Sequence, residues 1–291
     1  MLNQENHGEI KNPQKHTIRD AMKKTLLFIP PLLVAVAFVI GYSSNFPSIV
    51  HDLIIQPPTI TLLTHASDIT PNNVVRAMIG QVSQQKALSD LRKLTGVEQV
   101  CLDHGCYTIT NRPTGSVGLQ WAKDYVYEQL VGMGYEIQVQ DWSYGGYTDQ
   151  NLIIRKPGKL QPENEIYFVA HLDGVSNAPA ADDNGSGVVS LLQLARVINN
   201  RSFSNTLVLL ISTGEEQGAL GVHYYVNQLT QEQLQAISYV VDVDMIGYDS
   251  NNDNVMELWN GEQPLDFVTL LGEIITAYQL EMTAQVVSDC S

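Results

Sequence analysis

Positive charge is scarce in this 291-residue chain: 16 Lys and Arg stand against 31 Asp and Glu, a formal net charge of −15. Phosphate backbones are held by clustered cations, so nucleic acid is not an expected partner. Part of the acidity suits a metal cation or the protonated amine of a peptide, and the remainder reads as solvated surface. Cysteine is almost missing. Cys101 and Cys106 bracket a short Leu-Asp-His-Gly loop, and no second pair lies nearby to complete a thiolate zinc site. That spacing favours a disulfide in an oxidising compartment, with His104 at the surface, while Cys290 has no evident partner. Internal repeats and low-complexity tracts are absent. What remains is 44% hydrophobic, enough for one large α/β domain with an appendage.

Only one long apolar run occurs, Leu26 to Tyr42. Lys11, Lys15, Arg19, Lys23 and Lys24 precede it, and no cation follows until Arg76. The run is short for a spanning helix but sufficient, and its charge asymmetry orients it with the N-terminus inside. The expected organisation is a cytoplasmic tail at 1–24, a signal-anchor at 25–42, a stalk at 43–71 and a main domain at 72–291, held outside the cytoplasm. A cleaved signal peptide, with Gly41-Tyr42-Ser43 as a weak cleavage site, is the alternative. Either way the main domain is extracytoplasmic, which agrees with the cysteine pair.

Apolar residues recur at three-to-four spacing from Val74 to Leu94, and a second helix is expected over 116–133, ended by Gly134. Strands are expected at 135–142, 151–155, 166–170, 206–212, 239–243 and 255–259, with helices at 188–198, 218–229, 231–237 and 264–278. Helices alternating with apolar strands indicate an α/β three-layer sandwich around a mixed, largely parallel sheet. Such folds gather ligands at the carboxyl ends of their strands.

Four motifs fall at those ends: His171-Leu172-Asp173, Ala181-Asp182-Asp183-Asn184-Gly185-Ser186-Gly187, Gly214-Glu215-Glu216 and Asp242-Val243-Asp244. His171 and Asp173 can face one way, an imidazole with a carboxylate to fix its tautomer. The glycine-rich segment puts two acids before a helix start. Adjacent glutamates at the end of a buried strand are costly unless a cation compensates one and leaves the other to handle protons. Asp244 adds another hard oxygen ligand, and Asp242 is a neighbour or an ordinary strand-end residue.

Together, HLDG, ADDNGSG, STGEEQGALG and VDMIG make residues 72–291 resemble the co-catalytic zinc exopeptidases of the M28 type, the aminopeptidase group. The resemblance implies two zinc ions bridged by Asp182, with His171 and Asp244 completing one site and Glu216 binding the other. It implies Glu215 as general base, Asp173 as the partner of His171, and a cis Asp182–Asp183 bond. The implied reaction is hydrolysis of a terminal peptide bond in a peptide with a free N-terminus. It also implies one more histidine for the second zinc, in a Ser-Asp-His element. The sequence stops at Val-Ser-Asp-Cys-Ser, and none of His7, His16, His51, His65, His104 or His223 is placed to substitute. Truncation there, a weakly occupied second site and low activity are therefore expected. A silent membrane-anchored binding ectodomain and a glutaminyl cyclase-like enzyme are the alternatives.

Overall fold

Residues 69–259 and 265–287 are described in the computed structural model. The expected tail, anchor and most of the stalk, residues 1–68, lie outside the described residues, as does Cys290. Among the described residues no helix is long and apolar enough to cross a membrane.

The helical periodicity after residue 72 resolves into two helices rather than one. Helix α1 spans Asn73–Ile79 and α2 spans Gln84–Leu94. Gly80 ends the first, and Ser83 caps the second by accepting from the Lys86 amide. The cysteine loop is a hairpin of β1 (Val100–Leu102) and β2 (Gly105–Tyr107), closed by a Cys101–Cys106 disulfide. Helix α3 (Val117–Gly132) begins at Ser116, which accepts from the Leu119 amide.

Strands β3 (Gln138–Tyr144), β4 (Tyr147–Lys156), β5 (Gln161–His171), β6 (Asn205–Ser212) and β7 (Ile237–Asp242) form one sheet in the order β3-β4-β6-β5-β7. The sheet is mixed, as expected, but not largely parallel. β5 runs parallel to β6 and β7, whereas β4 is antiparallel to both β3 and β6. The reason is the tight β3–β4 turn at Gly145-Gly146, both with positive φ, which reverses the chain where a parallel connection needs a longer crossover.

Every residue of β6 is buried, as suits a central strand covered on both faces. Side-chain alternation along β5 divides the core. Ile166, Phe168 and Ala170 join the large cluster under α2, α3 and α4 (Gly187–Ile198). Tyr167 and Val169 pack on the other face with Tyr225 of α5 (Leu220–Asn227). A short helix α6 (Gln231–Ala236) precedes β7. After β7, strands β8 (Val255–Trp259) and β9 (Thr283–Val287) pair in parallel, with α7 (Leu265–Tyr278) between them in sequence. The three parallel strands end side by side, so the loops after β5, β6 and β7 meet at one edge.

Candidate metal centre

His171 is the last residue of β5 and its side chain is only 3% exposed. Asp173, two residues on, is fully buried, with Oδ1 3.6 Å from His171 Nδ1. Its other oxygen accepts from the Glu216 amide (3.2 Å) and from Thr114 Oγ1 (3.4 Å). Asp173 therefore joins the loop after β5 to the turn after β6, and it stands on the side of the imidazole expected for an orienting carboxylate.

The opposite nitrogen, Nε2, faces acids from three loops. Asp183 Oδ1 lies 3.1 Å away, Asp244 Oδ1 3.5 Å and Glu215 Oε2 3.9 Å. One ligand atom each from His171, Asp183 and Asp244 lie within 4.8 Å of one another. Asp183 and Asp244 are partly open to solvent, at 46% and 42% exposure.

Of the two adjacent aspartates, the structure brings Asp183 to the histidine and not Asp182. Asp182 Oδ1 instead accepts from the Gly247 amide at 2.6 Å, and its carbonyl accepts from Ser186 Oγ. Ser186 Oγ also accepts from the Ile246 amide. Asp182 and Ser186 thus pin the turn that carries Asp244 to the loop that carries Asp183. The cis peptide bond is likewise one residue later than expected, at Asp183–Asn184. The segment leaves helical geometry at Asp183 and Asn184, so no helical period fixes which acid faces inward.

Glu215 and Glu216 open the one-turn helix after β6. Their turn is braced from behind: Trp142 Nε1 donates to Thr213 Oγ1, and Asn151 accepts from the Thr213 amide while donating to the Gly221 carbonyl. Gly214 (φ 79°) has no room for a side chain, since a Cβ there would meet the Trp142 ring at 2.7 Å. Glu216 Oε1 is buried without a hydrogen-bond partner. Asp242 ends β7 and is not one of the three grouped ligand residues, but burial and the neighbouring Asp244 raise its pKa to about 6. His104 and His223 are exposed and take no part in it, and the other histidines outside the centre lie outside the described residues.

The electrostatics expose a deficit of positive charge. Burial by itself disfavours the imidazolium of His171, but the carboxylates of Asp173 and Asp244 outweigh it and push its pKa up to about 10. Burial also raises Glu216, with Asp183 adding repulsion. Glu215 is raised by burial, and Asp173, Asp244 and Asp183 push it the same way against the pull of His171. Both His171 nitrogens and Asp173 Oδ1 are buried without a hydrogen bond among the described residues. Tetrahedral zinc holds nitrogen and oxygen at about 2.0–2.2 Å, which sets neighbouring ligand atoms roughly 3.4 Å apart. The separations of 3.1 and 3.5 Å from Nε2 match that spacing. Hydrogen-bond alignment is missing while ligand spacing is present, so the donor set fits a divalent cation of zinc type.

Two features had no sequence signal. Thr114 Oγ1 bonds both Asp173 and Gln217 Oε1, tying the start of α3 to the glutamate turn. Arg112, buried beneath the loops, donates to backbone carbonyls at Leu94, Leu172, Pro179 and Ala180.

Residues 151–288 match the pattern of peptidase family M28. Leupeptin-inactivating enzyme 1 of Streptomyces exfoliatus is 33% identical over 139 residues, covering 47% of this chain and 32% of that protein. The chain thus spans about a third of that relative's length. Among solved structures, the zinc aminopeptidase BSAP from Bacillus subtilis superposes with a TM-score of 0.54 at 12% identity, over 69% of this chain and 84% of that one. A glutaminyl cyclase from an Acidobacteriales bacterium superposes with a TM-score of 0.55 at 17% identity, over 78% of each chain. At those identities the likeness is one of fold.

Proposed function

We propose, on the premise that residues 151–288 are a stretch of an M28-family peptidase domain, that the protein is a zinc-dependent exopeptidase that removes N-terminal residues from peptides. The observation that carries this reading is the convergence of His171 Nε2, Asp183 and Asp244 from three separate loops onto one point, with ligand spacing and no hydrogen bond to the imidazole.

In this reading His171, Asp183 and Asp244 hold one ion. Asp183 would stand in the place expected of Asp182, and Glu216, whose inner oxygen has no partner among the described residues, would serve a second ion. When bound, such ions lower the pKa of water toward about 7 and polarise the scissile carbonyl. Asp173 Oδ1, 3.6 Å from His171 Nδ1, would accept from that nitrogen with the ring settled on an ion and keep Nε2 toward the loop acids. Glu215, half-exposed with its pKa raised by burial, takes a proton from the attacking water and passes it to the leaving amine. The acidic cleft favours a substrate's protonated N-terminus. A retained N-terminal anchor and an extracytoplasmic domain belong to the same proposal, and the Cys101–Cys106 disulfide supports the extracytoplasmic placement.

The test is hydrolysis of a short peptide, free or N-acetylated, before and after chelation and again after zinc is restored. Zinc-dependent release of the first residue from the free peptide alone is expected. Equal cleavage of the acetylated peptide rejects an aminopeptidase. Conversion of an N-terminal glutaminyl peptide to the pyroglutamyl form, without hydrolysis, assigns the chain to the cyclase reading instead.

A further inference from the structure

Arg112 is fully buried, yet among the described residues its guanidinium hydrogen-bonds no carboxylate. Nε donates to the Leu172 carbonyl at 2.7 Å, Nη1 to Leu94 (2.6 Å) and Pro179 (2.9 Å), and Nη2 to Ala180 (2.8 Å). Leu172 stands between His171 and Asp173. Pro179 and Ala180 lead directly into the Asp183 loop. Leu94 is the last residue of α2, where unpaired carbonyls and the helix dipole attract a cation. The Arg112 carbonyl in turn accepts from the Gly174 amide at 3.0 Å, and Asn111 donates to the Ser176 carbonyl at 2.8 Å. The short segment before α3 therefore grips the whole span from 172 to 180.

A planar fork with five N–H groups can meet four carbonyls in fixed directions, which a lysine cannot do. The carbonyls it holds belong to the two loops that present His171 and Asp183. Metal sites lose affinity when groups beyond the ligands stop fixing ligand orientation. We propose that Arg112 is a positioning residue of the metal centre: by locking the Leu172 and Pro179–Ala180 carbonyls at one spacing, it sets His171 and Asp183 in ligand geometry before an ion arrives. The inference rests on the metal-site reading above. The buried charge adds a second contribution, since Asp173, Asp183 and Glu216 all lie within its field. Arg112 supplies fixed positive charge beneath an acidic cluster without blocking any ligand atom.

The experiment compares Arg112→Lys and Arg112→Ala with Arg196→Met, which removes another largely buried arginine, one that pairs with Asp90 away from the centre. Zinc affinity is measured by competition with a chromophoric chelator, coordination by the cobalt(II) absorption spectrum, and loop order by amide exchange over 172–187 in the metal-free proteins. Both Arg112 variants should lose about 10–100-fold in zinc affinity, with faster exchange confined to those loops and an altered cobalt spectrum. Millimolar methylguanidinium should restore part of the affinity in Arg112→Ala; if that variant does not fold, the same measurements on Arg112→Lys decide the matter. Arg196→Met should keep wild-type affinity and loop exchange.

Affinity within about threefold of wild type in a folded Arg112 variant overturns the proposal, being well below the cost of a lost outer-shell partner. So does an equal affinity loss in Arg196→Met. A wild-type protein that binds no zinc removes the metal-site reading instead. Loop exchange then still decides the role of Arg112, because unchanged exchange in Arg112→Lys overturns it without reference to an ion.

Discussion

Carboxylates cluster in two regions of this molecule, buried in one and partly exposed in the other, and they are treated in opposite ways. Between the helices, Asp90 accepts from Tyr125 Oη at 2.6 Å and pairs with Arg196 at 2.8 Å. Beneath the start of α3, Asp149 pairs with Lys123 and accepts from the Gly115 amide. Each of these charges has a cation and a donor, as buried charges require. At the loop edge, Asp183, Glu215 and Asp244 converge on a single imidazole, and among the described residues their ion pairs are with His171 alone. The first arrangement is complete within the protein, whereas the second is complete only with a cation from outside. That difference separates a structural acid from a ligand more sharply than burial does.

The contrast can be broken first at Glu215. Glu215→Gln should lower peptide hydrolysis by about 10²–10⁴-fold while leaving zinc affinity near wild type, because its proposed role is to move protons and not to complete an ion's coordination. A parallel loss of affinity would make Glu215 a ligand and redraw the site. Next come the ligands. His171→Ala and Asp183→Asn should each cost more than about 100-fold in zinc affinity, beyond the range of outer-shell partners, and Asp182→Asn distinctly less. The reverse order for the two aspartates, read by chelator competition, would return the bridging role to Asp182.

On the paired side, Arg196→Met should destabilise the fold by about 2–3 kcal/mol, since it leaves Asp90 buried without its cation while some water reaches the pair. Denaturant melts of the metal-free protein measure this, and an unchanged midpoint would show that the helix-side pair is not the completed counterpart assumed here.

The smallest effect sharpens the comparison through pH. His171 has its folded pKa raised to about 10 from an ordinary 6.5, so it stabilises the metal-free protein fully below about 6.5 and loses that contribution as pH climbs through 10. The raised carboxyls of Asp182, Glu215 and Glu216 act in the same direction at lower pH. The metal-free protein should therefore weaken as pH rises. Zinc binding near pH 7 should release roughly one proton, with affinity gaining up to about tenfold per pH unit. Calorimetry in two buffers of different ionisation enthalpy reads the proton count, and no release would place a neutral imidazole in the empty site.

Much of the centre was legible in the primary order. His171, Glu215 and Asp244 each follow an apolar run, and a buried strand delivers the residue at its end to a shared edge whatever the loops do. The nearness of Asp173 to the His171 ring, 3.6 Å between Oδ1 and Nδ1, followed from a two-residue offset in extended chain. The choice between Asp182 and Asp183 did not follow. They lie in an irregular loop with no period, and the Gly247 amide captures the first of them from 65 positions away. The split of the first helical stretch at Gly80 and the antiparallel half of the sheet turned on local reversals that apolar spacing does not register.

The sequence alone determined that strands and helices alternate between residues 166 and 243, that acids and one histidine stand at strand ends, and that cations are scarce, because periodicity and composition are properties of the chain itself. Tertiary structure alone decided which aspartate faces the histidine and that Arg112 joins carbonyls at positions 94, 172, 179 and 180. A hydrogen bond selects its partner by direction and distance in space, and neither is written in the spacing of residues that lie far apart.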